Sequence, residues 1–215
     1  MIVHIRATSG GGKTTATRYL LECAKTRPSN YQLESGAKTQ VNIGAWKQHP
    51  FVCIGPYDKP GTGGCDRIKL VTDVTSAVCQ FADDKAREWR PDETDPDKPW
   101  IVVFEGLLLA HSWGHMGETL HPKYGRRYHN MFIDTTVERC LANVLQRRLD
   151  RGDSNDDPER MAKIEKNVYD DYHRVELAYK RVVARGGWRY DVPFANSGPD
   201  IAEHISAWCE AQTLR

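Results

Sequence analysis

The sequence has no CxxC pair among its six cysteines, no apolar run long enough to cross a bilayer, no internal repeat, and almost no net charge. Each absence excludes something. Without CxxC spacing, a thiolate zinc site or a thioredoxin-type redox pair lacks its usual frame. No secretory signal precedes Cys23, Cys53, Cys65, Cys79, Cys140 and Cys209, so reduced thiols in a cytoplasmic protein are expected. The most apolar stretch, WIVVFEGLLLA at 100–110, contains Glu105. It is half the length of a membrane helix, which needs about 20 residues, so no membrane partner is expected. A formal charge of +1 from 30 basic and 29 acidic residues excludes a protein that coats nucleic acid by bulk charge. Local basic surfaces stay open, and 18 of the 30 basic residues are Arg, which suits phosphate recognition.

What is present reads as one domain over residues 1–215, since 40% hydrophobic content supplies a core without staples. Short β-rich runs alternate with helical stripes. The stripes are Ala16, Tyr19, Leu20, Cys23, Ala24; then Val74, Ala77, Val78, Phe81, Ala82 with Asp73 as N-cap; then Val137, Cys140, Leu141, Val144, Leu145. Asp157-Pro158 opens a long helix that ends at Gly186-Gly187, and Pro199 opens a last one. Residues 28–50 are polar, with VNIGAW (41–46) a possible neighbour of FVCIG (51–55). A His- and Gly-rich loop is expected between 104 and 130. The expected fold is α/β: a three-layer α/β/α domain with a five-stranded parallel sheet from 2–6, 51–55, 100–104, 130–134 and 190–195. Chemistry in such sheets sits on the loops after the strands.

The first of those loops is ATSGGGKT, residues 7–14. It matches the P-loop (Walker A) pattern G-x-x-x-x-G-K-[ST] at Gly12, Lys13 and Thr14, and departs from it at Ala7. An alanine there requires a negative φ. In this reading Ala7, Thr8, Ser9, Gly10, Gly11, Gly12, Lys13, Thr14 and Thr15 bind ATP. Backbone N–H groups and the following helix N-terminus meet the phosphates, Lys13 reaches the β- and γ-phosphates, and Thr14 meets Mg²⁺.

Phosphoryl transfer also needs a carboxylate near the metal, a base for the acceptor proton and cations for the transition state. Glu105, at the end of the WIVVF strand, is expected beside Thr14 at Mg²⁺. Asp66, after the second strand in GPYDKPGTGGCDRI, is expected as the base, with Arg67 on a substrate phosphate. Arg147, Arg148 and Arg151 precede a polar loop, and together they suggest a helical lid over about 147–163. Arg139 and Asn143 continue their face. His111, His115 and His121 lack a carboxylate or Cys to complete a zinc set. His111 and Trp113 fit a substrate-contacting loop instead, with Tyr57 as a second stacking ring. Lys123, Arg126 and Arg127 are expected on a nucleic-acid backbone.

VHIRATSGGGKTT, GPYDKPGTGGCDRI and IVVFEGLLLA, in this order, resemble phage P-loop kinases related to thymidylate kinases. The nearest likeness is to the 5-hydroxymethyldeoxyuridine DNA kinases of phages with hypermodified thymidines. The resemblance implies ATP-dependent phosphorylation of the hydroxymethyl group of 5-hydroxymethyluracil in phage DNA. It implies a role in hypermodification that protects the genome from host restriction, inside the host cytoplasm. A base within a duplex must be flipped out or already unpaired to reach such a site.

Three other readings remain: a free deoxynucleoside monophosphate kinase, a polynucleotide 5′-hydroxyl kinase, and a nucleotide-binding switch or motor. Against a guanine-specific switch, the sequence has no [NT]KxD motif.

Overall fold

The computed structural model describes residues 1–33, 36–57, 63–68, 70–111 and 116–213. The described residues form β1 (Ile2–Arg6), α1 (Lys13–Cys23), β2 (Arg27–Gln32), β3 (Lys38–Trp46) and β4 (His49–Ile54). These are followed by α2 (Val71–Ala82), β5 (Ile101–Glu105), α3 (Leu107–His111), α4 (Gly117–Tyr124) and β6 (Tyr128–Asp134). Then come α5 (Val137–Leu149), α6 (Pro158–Ala184), β7 (Trp188–Pro193) and α7 (Ser197–Thr213).

The sheet order is β2-β3-β4-β5-β1-β6-β7. The five expected strands are its parallel part, β4-β5-β1-β6-β7. The expected total is corrected: the described sheet has seven strands and is mixed, because β2 and β3 add an antiparallel extension. The turn at Lys47-Gln48 joins β3 to β4, and Lys47 takes φ 55°. β2 hides from patterning because Tyr31 is its one buried side chain and Pro28 suits an edge.

Helices cover both faces. Ile2, Val52, Ile54, Val102 and Phe104 pack with Val74, Val78 and Phe81 of α2 and Leu120 of α4. Val3, Ile5, Cys53 and Val103 pack with Ala16 and Leu20 of α1 and Ile201 and Ile205 of α7. α6 lays Val182 on Phe132 of β6. The alternation along each strand follows from its period of two.

Three local expectations are corrected. Asp73 lies in the first turn of α2, and Leu70 occupies the N-cap position without a side-chain bond. Tyr19 and Cys23 are exposed on α1, whose inward face is Ala16, Thr17 and Leu20. The segment expected as a loop before β6 contains α3 and α4. Asp157 does cap α6, accepting from the backbone N–H of Glu159 and Arg160. Among the described residues no helix is long and apolar enough to cross a membrane.

Candidate active site

β1 is central in the sheet, and residues 7–12 leave its carboxyl end to enter α1. Gly10 and Gly12 adopt φ of 80° and 83°, which an L side chain rarely takes. A Cβ on Gly10 would stand 2.2 Å from the Cys140 carbonyl oxygen. Ala7 has no positive φ, so its departure from the motif is sterically allowed. Its side chain instead constrains Gly11, where a Cβ would lie 2.7 Å from the Ala7 Cβ. Asn143 of α5 donates to the Gly10 carbonyl at 2.9 Å and ties the loop to that helix.

Lys13 is buried, and its ammonium donates to the carbonyls of Ala7 at 2.8 Å and Thr8 at 3.0 Å. Burial pushes its pKa down, while Glu105 and Asp66 oppose that shift. The β1–β5 register sets Ile5 beside Glu105. That places the end of β5 next to the glycine-rich loop. Glu105 is 1% exposed, and Oε1 accepts from the Thr14 hydroxyl at 3.1 Å and the Tyr57 hydroxyl at 3.2 Å. Burial raises its pKa and Lys13 counteracts this. Gly64 makes room for the carboxyl, since a Cβ there would fall 2.5 Å from Oε1.

Gly10, Gly11, Gly12, Lys13, Thr14, Glu105 and Asn143 line one cleft of about 520 Å³, together with Ser9, Thr15, Gly63, Asp66, Gln146, Arg147 and Phe194. Asp66 is exposed to it from the helical turn Gly64–Arg67. Arg147 lines it with its Nε donating to the Asn143 carbonyl at 3.3 Å. Burial lowers the Arg147 pKa, and the charge of Arg151 adds to this. Arg139 stacks over Phe194 at 5.0 Å. The donor set is chemically coherent: backbone amides, two cations and two carboxylates border one cleft.

The other sequence candidates are placed elsewhere. Arg148 turns away from the cleft into the α5–α6 connection, where it donates to Asn155 Oδ1 and the Ser154 carbonyl, each at 3.2 Å. Arg151 stands beside Asp153 at 3.8 Å. Tyr57 is a buried strut behind Glu105, not an exposed stacking ring. His111 faces α6, its Nε2 3.6 Å from Asp171 Oδ1. Trp113 and His115, and the Arg67 side chain, lie outside the described residues. Lys123 is paired with Asp83. Arg126 and Arg127 precede β6 and so sit at the amino ends of the strands, opposite the cleft. No group of three or more metal-ligating side chains exists among the described residues.

The sequence reading missed Gly63, Gly64, Gln146 and Phe194. The Gly63-Gly64 pair was the available signal, because paired glycines after a strand mark close approach of another group. Phe194 carried none, since its role depends on where α7 returns.

A model of the 5-hmdU DNA kinase family matches residues 1–181. The chain belongs to that family. It is also 27% identical over 149 residues to the 5-hmdU DNA kinase 1 of Salmonella phage ViI. That alignment covers 68% of this chain and 59% of the relative, so the likeness spans little more than half of the phage enzyme. The matched span, residues 1–181, contains the glycine-rich loop, Asp66, Glu105 and Arg147.

Proposed function

We propose that the chain is a single kinase domain that transfers the γ-phosphoryl group of ATP to the hydroxymethyl group of 5-hydroxymethyluracil in DNA. The observation that carries this reading is the convergence of Lys13, Thr14, Glu105 and Asp66 on one cleft beside the glycine-rich loop. The family's name, 5-hmdU DNA kinase, supports this acceptor.

In this reading residues 7–15 form a P-loop, with backbone amides on the phosphates and Lys13 leaving its own loop carbonyls for them. Thr14 and Glu105, whose side-chain oxygens lie 3.1 Å apart, would hold Mg²⁺, a hard ion that takes few protein ligands and keeps its waters. When bound, Mg²⁺ would neutralise phosphate charge. Asp66 takes the proton from the acceptor hydroxyl as its oxygen bonds to the γ-phosphorus and the bond to the β–γ bridging oxygen breaks, releasing ADP. Lys13 and Arg147 meet the charge on the equatorial oxygens. The α5–α6 connection over about 147–163 acts as the lid, with Arg148 bracing it rather than touching nucleotide. The product serves later hypermodification of the base in a phage genome, in host cytoplasm, against restriction.

The test is γ-labelled ATP offered with DNA containing 5-hydroxymethyluracil, with ordinary DNA bearing 5′-hydroxyl ends, and with free monophosphates. Label on the hydroxymethyl base supports the proposal. Label only at 5′ ends, or only on free nucleotides, overturns it in favour of the corresponding kinase. Lys13→Ala should abolish transfer, and Asp66→Asn should lower kcat while ATP still binds.

A further inference from the structure

A second concave surface of about 620 Å³ lies at the other end of the sheet. Arg126 and Arg127 border it from the turn before β6, Trp188 and Tyr190 from β7, and His204 and Trp208 from α7. β6 is seven residues long, so this groove and the catalytic cleft are separated by about 20 Å of strand. Arg126 and Arg127 therefore cannot share an acceptor pocket with Asp66.

The groove has the chemistry of a nucleotide subsite. Trp188 is 40% exposed, and the Arg126 guanidinium stands 5.7 Å from its ring centre. Tyr190 stacks on His129 with 10° between the rings, and His204 lies 4.0 Å from Tyr190. His129 Nδ1 and His204 Nε2 are 3.0 Å apart, which fixes this aromatic floor. Two arginines border the groove, and among the described residues no acidic side chain lines it; His129 and His204 contribute rings rather than charge. Its charge is thus complementary to a phosphodiester, on a chain whose overall charge is near zero. Trp188, Tyr190, His204 and Trp208 also lie beyond the 1–181 segment that the family model matches.

We propose that this groove is an anchor for the DNA strand outside the catalytic cleft, with an unpaired base on Trp188 and Tyr190 and phosphates on Arg126 and Arg127. Stacking on aromatic rings with arginine beside them tolerates any base sequence. A straight line of about 20 Å corresponds to about six stacked steps of 3.4 Å, and a strand that runs over the domain surface between the two places needs more nucleotides than that. The anchor would supply affinity that the near-neutral surface lacks. It rests on the reading of DNA as the substrate.

The test uses the full chain and a fluorescent single-stranded oligonucleotide of about 12 nucleotides with ordinary thymidines, followed by anisotropy over a salt series. Arg126→Glu and Trp188→Ala are each expected to weaken binding about 10-fold. Arg126→Glu should also reduce the salt slope by about 1. Trp188→Phe, which keeps a ring, should recover most of the loss. On hydroxymethyluracil oligonucleotides the two weakened variants should raise KM and retain kcat. Wild-type binding by both variants, at wild-type melting temperature, overturns the anchor. So does a free deoxynucleoside monophosphate that competes as well as the oligonucleotide, or a groove that proves to be a contact between two copies. A wild-type protein that binds DNA through the groove but phosphorylates no hydroxymethyl group overturns the acceptor assignment alone. Normal phosphorylation with unaffected variants overturns the anchor alone.

Discussion

The Thr14 hydroxyl donates to Glu105 Oε1 at 3.1 Å and joins two segments 91 residues apart. One partner lies in the first turn of α1 and the other ends β5, so the bond exists only because β1 and β5 are adjacent in the sheet. It also sets a conflict. A carboxylate kept beside the glycine-rich loop is a carboxylate taken out of water, and its raised pKa reports that cost.

Glu105→Gln should therefore separate stability from activity. The amide oxygen can still accept from Thr14 and Tyr57, and the cost of burying the carboxylate is removed, while buried Lys13 loses an opposing charge. The melting temperature is expected to stay close to wild type as these two effects oppose, while transfer falls by about 10²-fold or more. Calorimetry and a labelled-ATP assay read the two effects. Wild-type turnover in this variant would remove Glu105 from the machinery.

Gly64→Ala should damage both properties. The residue has φ 77°, and the new methyl would stand 2.5 Å from the Glu105 carboxyl. Denaturant unfolding is expected to show a loss of about 1–3 kcal/mol. Transfer should fall with it, as Glu105 is displaced. A stable and active alanine variant would contradict the packing described here.

Neighbouring arginines on α5 should behave oppositely. Arg147→Ala removes a cation from the cleft and should lower turnover with stability within about 0.5 kcal/mol of wild type. Arg148→Ala leaves the Ser154 carbonyl and Asn155 without their donor and should cost about 1–3 kcal/mol. Equal effects of the two substitutions on turnover would place both in the cleft.

Acid should destabilise the protein before ordinary carboxylates titrate. Burial holds His4, His49, His111, His129 and His204 below the usual 6.5, with His111 and His129 down to about 4. The unfolded chain takes up these protons near 6.5 and the folded chain does not. Their contribution is thus intact above 6.5 and is lost as pH falls toward 4. Glu105 and Asp171, with raised pKa values, act in the opposite direction but are fewer. Thermal midpoints measured at pH 7.5 and 5 should fall between the two; an unchanged or higher midpoint at pH 5 would refute the buried neutral histidines.

Legibility in the sequence followed the range of the interaction. β5 and β6 announced themselves because burial on both faces demands continuous apolar runs, and β1 because its short β-rich run ends at the glycine-rich loop. β2 did not, since an edge strand with Tyr31 as its buried side chain has almost no pattern. The Val74–Phe81 stripe on α2 is legible because the helix rests on a broad sheet face, whereas α5 buries only Cys140 and Arg148. The three-arginine cluster was visible as composition, but which guanidinium faces the cleft depends on helix phase and on the loop that Arg148 braces.

By itself the sequence determined the alternation of strands and helices, the glycine-rich loop with Lys13 and Thr14, and the placing of Asp66 after a strand and of Glu105 at a strand's end. These are local properties, dictated by backbone freedom, side-chain period and chain order. Only the tertiary structure decided that Glu105 meets Thr14, that Tyr57 and Gly64 serve Glu105, and that Arg126 and Arg127 lie at the far end of the sheet from the cleft. Those relations follow from strand order and register, which arise from packing between segments distant in the chain, and no local pattern encodes them.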